Sequence, residues 1–260
     1  MKIPIALITD ERFAPYCATT IASVLNNSQE ETEFDFYILT GGLSQTVKEK
    51  FNGLKAIKDC SINIISIDID NFKGLPKCNH IPIESYFRFK LFSLLDGLDK
   101  VIYLDSDMIV LGDIEGLFNT NIDNYYAGMV IDTVKEVGTV LNEVKQKLQF
   151  PVNSDYFNAG VMVINLNKCR EDHIESKLFD WAKRNYDKLT WADQDVINVI
   201  MHGLIKKLPS KYNIQLTAYK PNAEKEIIHY CGPDKPWNNK GMPLSEYFWN
   251  NFYPFMTIYQ

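Results

Sequence analysis

Short apolar, β-branched runs alternate along this chain with longer segments whose apolar residues recur at helical spacing. Ile3–Ile8 predicts a buried strand, and Tyr16–Leu25 then sets Cys17, Ile21, Val24 and Leu25 on one helical face. Phe34–Leu39 predicts a second strand, closed by Gly41-Gly42. Ser44–Ile57 predicts an amphipathic helix, with Ser44 as N-cap and Val47, Phe51, Leu54 and Ile57 facing the core. Ile62–Ile69 alternates as a half-exposed strand does. A loop from Pro76 to Pro82 leads to a predicted helix, Phe87–Leu95, and a dense strand, Val101–Leu104. Tyr126–Ile131 and Gly160–Ile164 predict two more strands, separated by a charged, exposed helix over Val134–Leu148. Helices over Ile174–Tyr186 and Val196–His202, a short strand at Ile227-Ile228 and an aromatic-rich helix over Leu244–Phe255 complete the pattern.

The β-α-β-α-β order of the first hundred residues predicts an α/β fold, with a mostly parallel central sheet and helices on both faces. At 260 residues, with no internal repeat, linker or shift in composition, a single domain is expected. The 46% hydrophobic and 23% charged content is that of an ordinary globular chain.

Charge narrows the partners. The net charge of −6, with no basic run longer than Lys206-Lys207, argues against nucleic acid, whose binding needs phosphate-neutralising cations. An anionic substrate needs a local cationic pocket or a metal. Of the five cysteines none forms a CxxC pair, so buried thiols of a reducing compartment are expected. The apolar start Ile3–Ile8 is too short for a signal sequence, and no apolar stretch approaches membrane-spanning length. A cytoplasmic protein is expected.

The chain lacks G-x-G-x-x-G, the P-loop, G-x-S-x-G and H-E-x-x-H, so the usual dinucleotide, ATPase, hydrolase and zinc-protease readings have nothing to rest on. Asp105-Ser106-Asp107 is more informative. It ends the strand Val101–Leu104, where ligands of open α/β sheets bind. Residues two apart in an extended segment point the same way, so Asp105 and Asp107 can converge on one hard divalent cation. Alone, the pair also fits a turn at a strand end. It fits the nucleophile and general acid of a haloacid-dehalogenase-like phosphohydrolase as well. His229-Tyr230-Cys231-Gly232, followed by Lys235-Pro236-Trp237, emerges from the strand Ile227-Ile228. Its imidazole can complete a metal site, Gly232 allows a tight turn, and Lys235 is a point charge for phosphate. A surface turn is the alternative.

Four runs occur in order: Asp105-Ser106-Asp107; Phe157-Asn158-Ala159-Gly160-Val161 with Ile164-Asn165-Leu166; Asp193-Gln194-Asp195; and His229 to Trp237. Together they resemble glycosyltransferase family 8. The resemblance spans residues 3 to 237 and implies a GT-A fold, with residues 1–240 catalytic and 241–260 a helical extension packed on them. It implies a retaining, metal-dependent hexosyltransferase that uses UDP-galactose or UDP-glucose and forms an α-linkage on a glycan, glycolipid or glycoprotein. Asp105, Asp107 and His229 would ligate Mn²⁺, or Mg²⁺ in its place. Asp10 would hydrogen-bond the uracil, with Phe13 stacking on it and Thr9 lining the pocket. Arg88, Asn158 and Ala159 would lie by the donor sugar, and Ser106 by the donor. Gly232 and Lys235 would hold the β-phosphate. Asp193 would accept bonds from sugar hydroxyls, Gln194 would lie beneath the anomeric carbon, and Asp195 adjoins it.

Plainer roles stand beside these: Phe13 as core, Arg88 paired with Asp96 or Glu84, Asp193 as a helix N-cap and Asp10 as a strand-end cap. A non-catalytic nucleotide-sugar-binding module would keep the same pocket without transfer. The chain departs from the family pattern at Arg12, where a small polar residue can contact the ribose, at Trp191-Ala192, and in the short stretch Leu208–Glu226. The last helix carries Phe248-Trp249 and Phe252-Tyr253 but no Lys or Arg after Lys240, so only weak peripheral membrane association is expected.

Overall fold

A computed structural model describes residues 2–78, 81–133, 137–216 and 224–257, with side chains at 137–139 and 253–257 left out. Its strands are β1 (Lys2–Ile8), β2 (Glu33–Thr40), β3 (Ser61–Ser66), β4 (Lys100–Leu104), β5 (Met108–Val110), β6 (Ala127–Ile131), β7 (Phe157–Asn165), β8 (Ile205–Lys207), β9 (Ile214–Gln215) and β10 (Ile227–His229). Seven form one sheet in the order β3-β2-β1-β4-β7-β6-β8, in which β7 alone runs against the others. A small sheet, β5-β10-β9, sits beside it.

The strands alternate their side chains between two cores. Ile3, Ile5, Leu7, Phe34, Phe36, Ile102 and Leu104 pack with helix α1 (Ala14–Asn26) on one face. Ala6, Val101, Tyr103, Met162 and Ile164 face the opposite core, which holds Leu178, Val196 and Ile197 of later helices. Burial on both faces explains why the central strands read as continuous apolar runs.

Several expected boundaries shift for local reasons. Ser44 caps helix α2 (Gln45–Gly53) by accepting from Val47 N, but Leu54–Ala56 tightens into a 3₁₀ turn after Gly53. The strand predicted to reach Ile69 stops at Ser66, because Asp68 accepts from Asp70 N and starts a 3₁₀ turn, Ile69–Phe72. The helix predicted over Phe87–Leu95 is mostly a 3₁₀ run, Ile83–Lys90, followed by the short helix α3 (Leu91–Leu94). Tyr86, Phe87, Arg88 and Phe89 are all buried there, so no polar face sets an α-helical period. Part of the predicted helix Val134–Leu148, at 134–136, lies outside the described residues, as do parts of the stretches Pro76–Pro82 and Leu208–Glu226.

The segment after Asp107 was not expected to be a strand. Buried hydroxyls on α1 hold β5: Thr20 Oγ1 donates to Met108 O at 2.9 Å, and Ser23 Oγ accepts from Val110 N at 2.9 Å. Asn27 Nδ2 adds a bond to Val110 O. β5 then pairs antiparallel with β10, setting His229 opposite Met108. The C-terminal helix (Ser245–Thr257) packs over this small sheet through Phe248, with Tyr16 and Trp237. All five cysteines are unpaired, four of them buried. Among the described residues no helix is long and apolar enough to cross a membrane.

Candidate active site

The site lies past the carboxyl ends of β1 and β4. Because β7 runs antiparallel to β4, its first residues arrive at that same edge, and Asp105 N donates to Gly160 O. The β5–β10 pairing and a bond from Tyr230 N to Asp107 O bring His229 alongside.

One atom each from Asp105, Asp107 and His229 lies within 4.8 Å of the others. Each carboxylate has one oxygen held by a cation. Asp105 Oδ1 accepts from Arg88 Nη2 at 2.9 Å and from the Tyr103 hydroxyl at 2.7 Å. Asp107 Oδ2 pairs with Lys235 Nζ, which also donates to Tyr230 O. The remaining oxygens face one nitrogen: His229 Nε2 is 3.8 Å from Asp105 Oδ2 and 3.4 Å from Asp107 Oδ1. Asp107 Oδ1 is buried without a hydrogen-bond partner. Burial opposes ionisation of Asp107, but the charge of Lys235 outweighs it and holds this carboxyl well below the usual range. An orphaned buried oxygen beside a second carboxylate oxygen and an imidazole nitrogen fits a hard or borderline divalent cation.

Gly160 belongs to this arrangement. A Cβ there would stand 2.4 Å from His229 Cε1 and 2.8 Å from Met108 Cε. Only a bare backbone lets the imidazole lie on β7.

Arg88 is buried and does not pair with Asp96 or Glu84. Besides Asp105 it reaches Ala159 O at 2.8 Å and lies over the Tyr103 ring. Its Nε stands 2.9 Å from Asp193 Oδ2, yet its proton points at Ser85 O. That oxygen of Asp193 therefore receives charge without an aligned bond. Burial outweighs the pull of Arg88 and pushes the Asp193 carboxyl up to about 6. Asp193 does not cap its helix, which spans Ala192–Ile200 and has Trp191 as N-cap. Asp195 has both oxygens engaged: Oδ1 accepts from the Tyr156 hydroxyl, and Oδ2 from Thr190 N and Trp191 N at 2.6 and 2.7 Å. These bonds brace the turn in which Ala192 adopts a positive φ of 47°.

On the other side is a chain of amides. Gln194 Oε1 accepts from Ala159 N, and Gln194 Nε2 donates to Asp132 Oδ2 at 3.0 Å. Asn158 Nδ2 donates to the same oxygen. Asn158 Oδ1 accepts from Gly160 N and from Asn213 Nδ2. Asp132, Asn213 and Tyr103 were missed from sequence. Asp132 had a signal, since it follows an apolar strand as Asp105 does; Asn213 had none.

Beyond β1, Asp10 Oδ1 accepts from Phe13 N at 2.7 Å, so Asp10 does cap the turn, and Arg12 lies near its other oxygen. Phe13 is not core: it is 39% exposed, edge-on to Tyr16 and Trp237, which stack on each other at 3.6 Å. Thr9 is buried and donates to Asp10 O. Ser106 donates to Ile8 O, tying the acidic loop to β1. Gly232 has φ +93°, which favours glycine.

A sequence model of glycosyl transferase family 8 matches residues 4–241. The chain belongs to glycosyl transferase family 8. It is 30% identical to a lipopolysaccharide 1,2-glucosyltransferase of Escherichia coli, over 94% of this chain and 76% of that protein. It is also 30% identical to a lipopolysaccharide 1,3-galactosyltransferase of Salmonella typhimurium, over 95% of this chain and 77% of that one. The galactosyltransferase LgtC, solved in complex with donor and acceptor sugar analogs, superposes with a TM-score of 0.85 at 27% identity, covering 97% of this chain and 96% of LgtC. This family 8 member is a glycosyltransferase with the GT-A fold, and the phosphohydrolase alternative falls away.

Proposed function

We propose that the protein transfers galactose or glucose from a UDP-sugar to a hydroxyl of a glycan, glycolipid or glycoprotein, with retention of configuration and with Mn²⁺, or Mg²⁺, held by Asp105, Asp107 and His229. The observation that carries this is the pair of carboxylates with one oxygen each clamped by Arg88 and Lys235 and the other turned toward His229 Nε2. A divalent ion bound there supplies Lewis-acid neutralisation of a diphosphate leaving group.

The chain's own residues supply the rest. Phe13 offers an exposed ring for the uracil, and Asp10, whose Oδ2 lies 3.5 Å from Arg12 Nε, would hydrogen-bond it. Lys235, on the loop turned by Gly232, exchanges Asp107 for a β-phosphate oxygen and holds charge there. Asp193 accepts from sugar hydroxyls, beside Asn158 and the Ala159 peptide. Gln194 lies beneath the anomeric carbon. Asp195, closed in by three donors, is not free to attack, which favours same-face substitution. In that step the anomeric C–O bond to the diphosphate breaks and the bond to the acceptor oxygen forms on the same face. The acceptor's proton passes to the leaving phosphate. The reading keeps the protein cytoplasmic, or at the inner membrane face.

The test is a screen of UDP-sugars with Mn²⁺, reading slow donor hydrolysis without acceptor. Release of UDP from UDP-galactose or UDP-glucose, abolished by chelator, is expected; chelator-resistant hydrolysis would reject the metal site. A glycosyl adduct on Asp195 during turnover would reject the same-face step.

A further inference from the structure

Asp132 stands just past β6, next to a β-bulge between Met129 and Val130, and its backbone N–H donates to Tyr156 O. These features carry its carboxylate over the start of β7. We propose that Asp132 is a positioning residue that sets the direction of the amides of Gln194 and Asn158 and, through Asn213, the tautomer of His229. The part concerning His229 rests on the reading of Asp105, Asp107 and His229 as a cation site.

A side-chain amide has two faces of nearly equal shape, and what decides which way it points is the donor or acceptor that meets it. An ionised carboxylate only accepts. Asp132 Oδ2 accepts from Asn158 Nδ2 at 3.2 Å and from Gln194 Nε2 at 3.0 Å, so both amides present their NH₂ groups to it. Their oxygens must then face away. Gln194 Oε1 meets Ala159 N at 3.0 Å, while Ala159 O is taken by Arg88. Asn158 Oδ1 meets Gly160 N at 3.0 Å and Asn213 Nδ2 at 2.9 Å. Asn213, having given its NH₂ to Asn158, has only its oxygen left for His229 Nδ1, at 3.0 Å. The imidazole proton is thereby held on Nδ1, and the Nε2 lone pair faces Asp105 and Asp107. Asn158, Asn213 and His229 are all buried, so none can trade these bonds for water without cost. One carboxylate thus gives direction to a chain that runs from the sugar side of the site to its metal side. Gly160 N and Ala159 N favour the same orientations of Asn158 and Gln194, and Asp132 adds to each the acceptor that its NH₂ group needs.

The experiment records the ¹⁵N shifts of the neutral His229 imidazole in metal-free wild type, Asp132→Ala and Asp132→Asn, with thermal unfolding as the folding control. Donor hydrolysis and Mn²⁺ binding are measured on the same samples. Wild type should show the Nδ1–H pattern. Asp132→Ala should mix the two tautomers and lower kcat by about ten- to hundredfold, with KM changed by less than about threefold. Asp132→Asn, whose amide oxygen still accepts, should keep the wild-type tautomer. A folded Asp132→Ala protein with the wild-type imidazole pattern overturns the proposal; should it fail to fold, Asp132→Ser makes the same measurement. Failure of wild type to bind Mn²⁺ would overturn the cation reading instead, while the ¹⁵N comparison still judges Asp132.

Discussion

The two halves of the site solve the same problem by opposite means. On the side proposed for the metal, order comes from charge: two carboxylates are each clamped by a cation, and their other oxygens meet a histidine. On the side proposed for the sugar it comes from neutral amides arranged in series. The charged half is unfinished, because Asp107 Oδ1 is buried without a partner. In the amide half the side-chain nitrogen and oxygen of both Asn158 and Asn213 have partners. The difference teaches that carboxylates set to receive a ligand keep an orphaned oxygen, as Asp107 and Asp193 both do, whereas amides in series satisfy one another.

Removing a ligand from the charged half should have the largest effect. Asp107→Asn keeps the size of the side chain but loses the charge that balances Lys235 and draws a cation. Transfer activity should fall by about 10³-fold, the equivalent of about 4 kcal/mol, with Mn²⁺ binding lost by titration. Retained Mn²⁺ affinity would place the ion elsewhere.

Gly160→Ala strikes the seam between the halves. Its methyl would occupy the space of His229 Cε1 and Met108 Cε. The imidazole must shift, and with it the bond to Asn213. Metal affinity should drop by about tenfold or more, and stability by about 1–3 kcal/mol, read by denaturant unfolding. An unshifted affinity would mean the ring moves freely, contrary to a saturated amide half.

The effect with the least bearing on activity is in the pH dependence of stability. Burial raises the Asp193 carboxyl from 3.8 in the unfolded chain to about 6 in the fold. Its protonated form is the one the fold favours. The contribution of Asp193 to stability is therefore full below about pH 4 and is lost as pH rises through about 6. Unfolding free energies of wild type and Asp193→Asn should diverge by roughly 2–3 kcal/mol over that range, with the variant gaining on wild type as pH rises. The pull of Arg88 on the ionised carboxylate is already part of that value of about 6 and makes the divergence smaller than burial alone would. Parallel curves would show that Asp193 ionises normally.

The charged half was the more legible in the sequence. Asp105, Asp107, His229 and Lys235 each stand at a strand end or in a short motif, where local pattern announces them. The amide half was read only in part. Asn158 and Gln194 came through resemblance, whereas Asp132 and Asn213 did not come at all, because an amide's role is set by what it touches across 26 to 62 positions of chain. Arg88 shows the same limit. Local spacing offers it Glu84 or Asp96, but its actual partners, Asp105, Asp193 and Ala159 O, are brought to it by the sheet. The strand β5 was hidden for a related reason, since polar side chains of α1 rather than an apolar period hold it.

By itself the sequence determined the α/β order, the parallel core and the acidic strand end, because these follow from hydrophobic periodicity and from where strands stop. Tertiary structure alone decided which carboxylate oxygen is clamped and which is free, that Asp195 braces a turn, that Gly160 makes room for an imidazole, and that Asp132 heads a line of amides. The physical reason is directional: burial can be read one residue at a time, but a hydrogen bond exists only when two distant parts of the chain present the right atoms to each other.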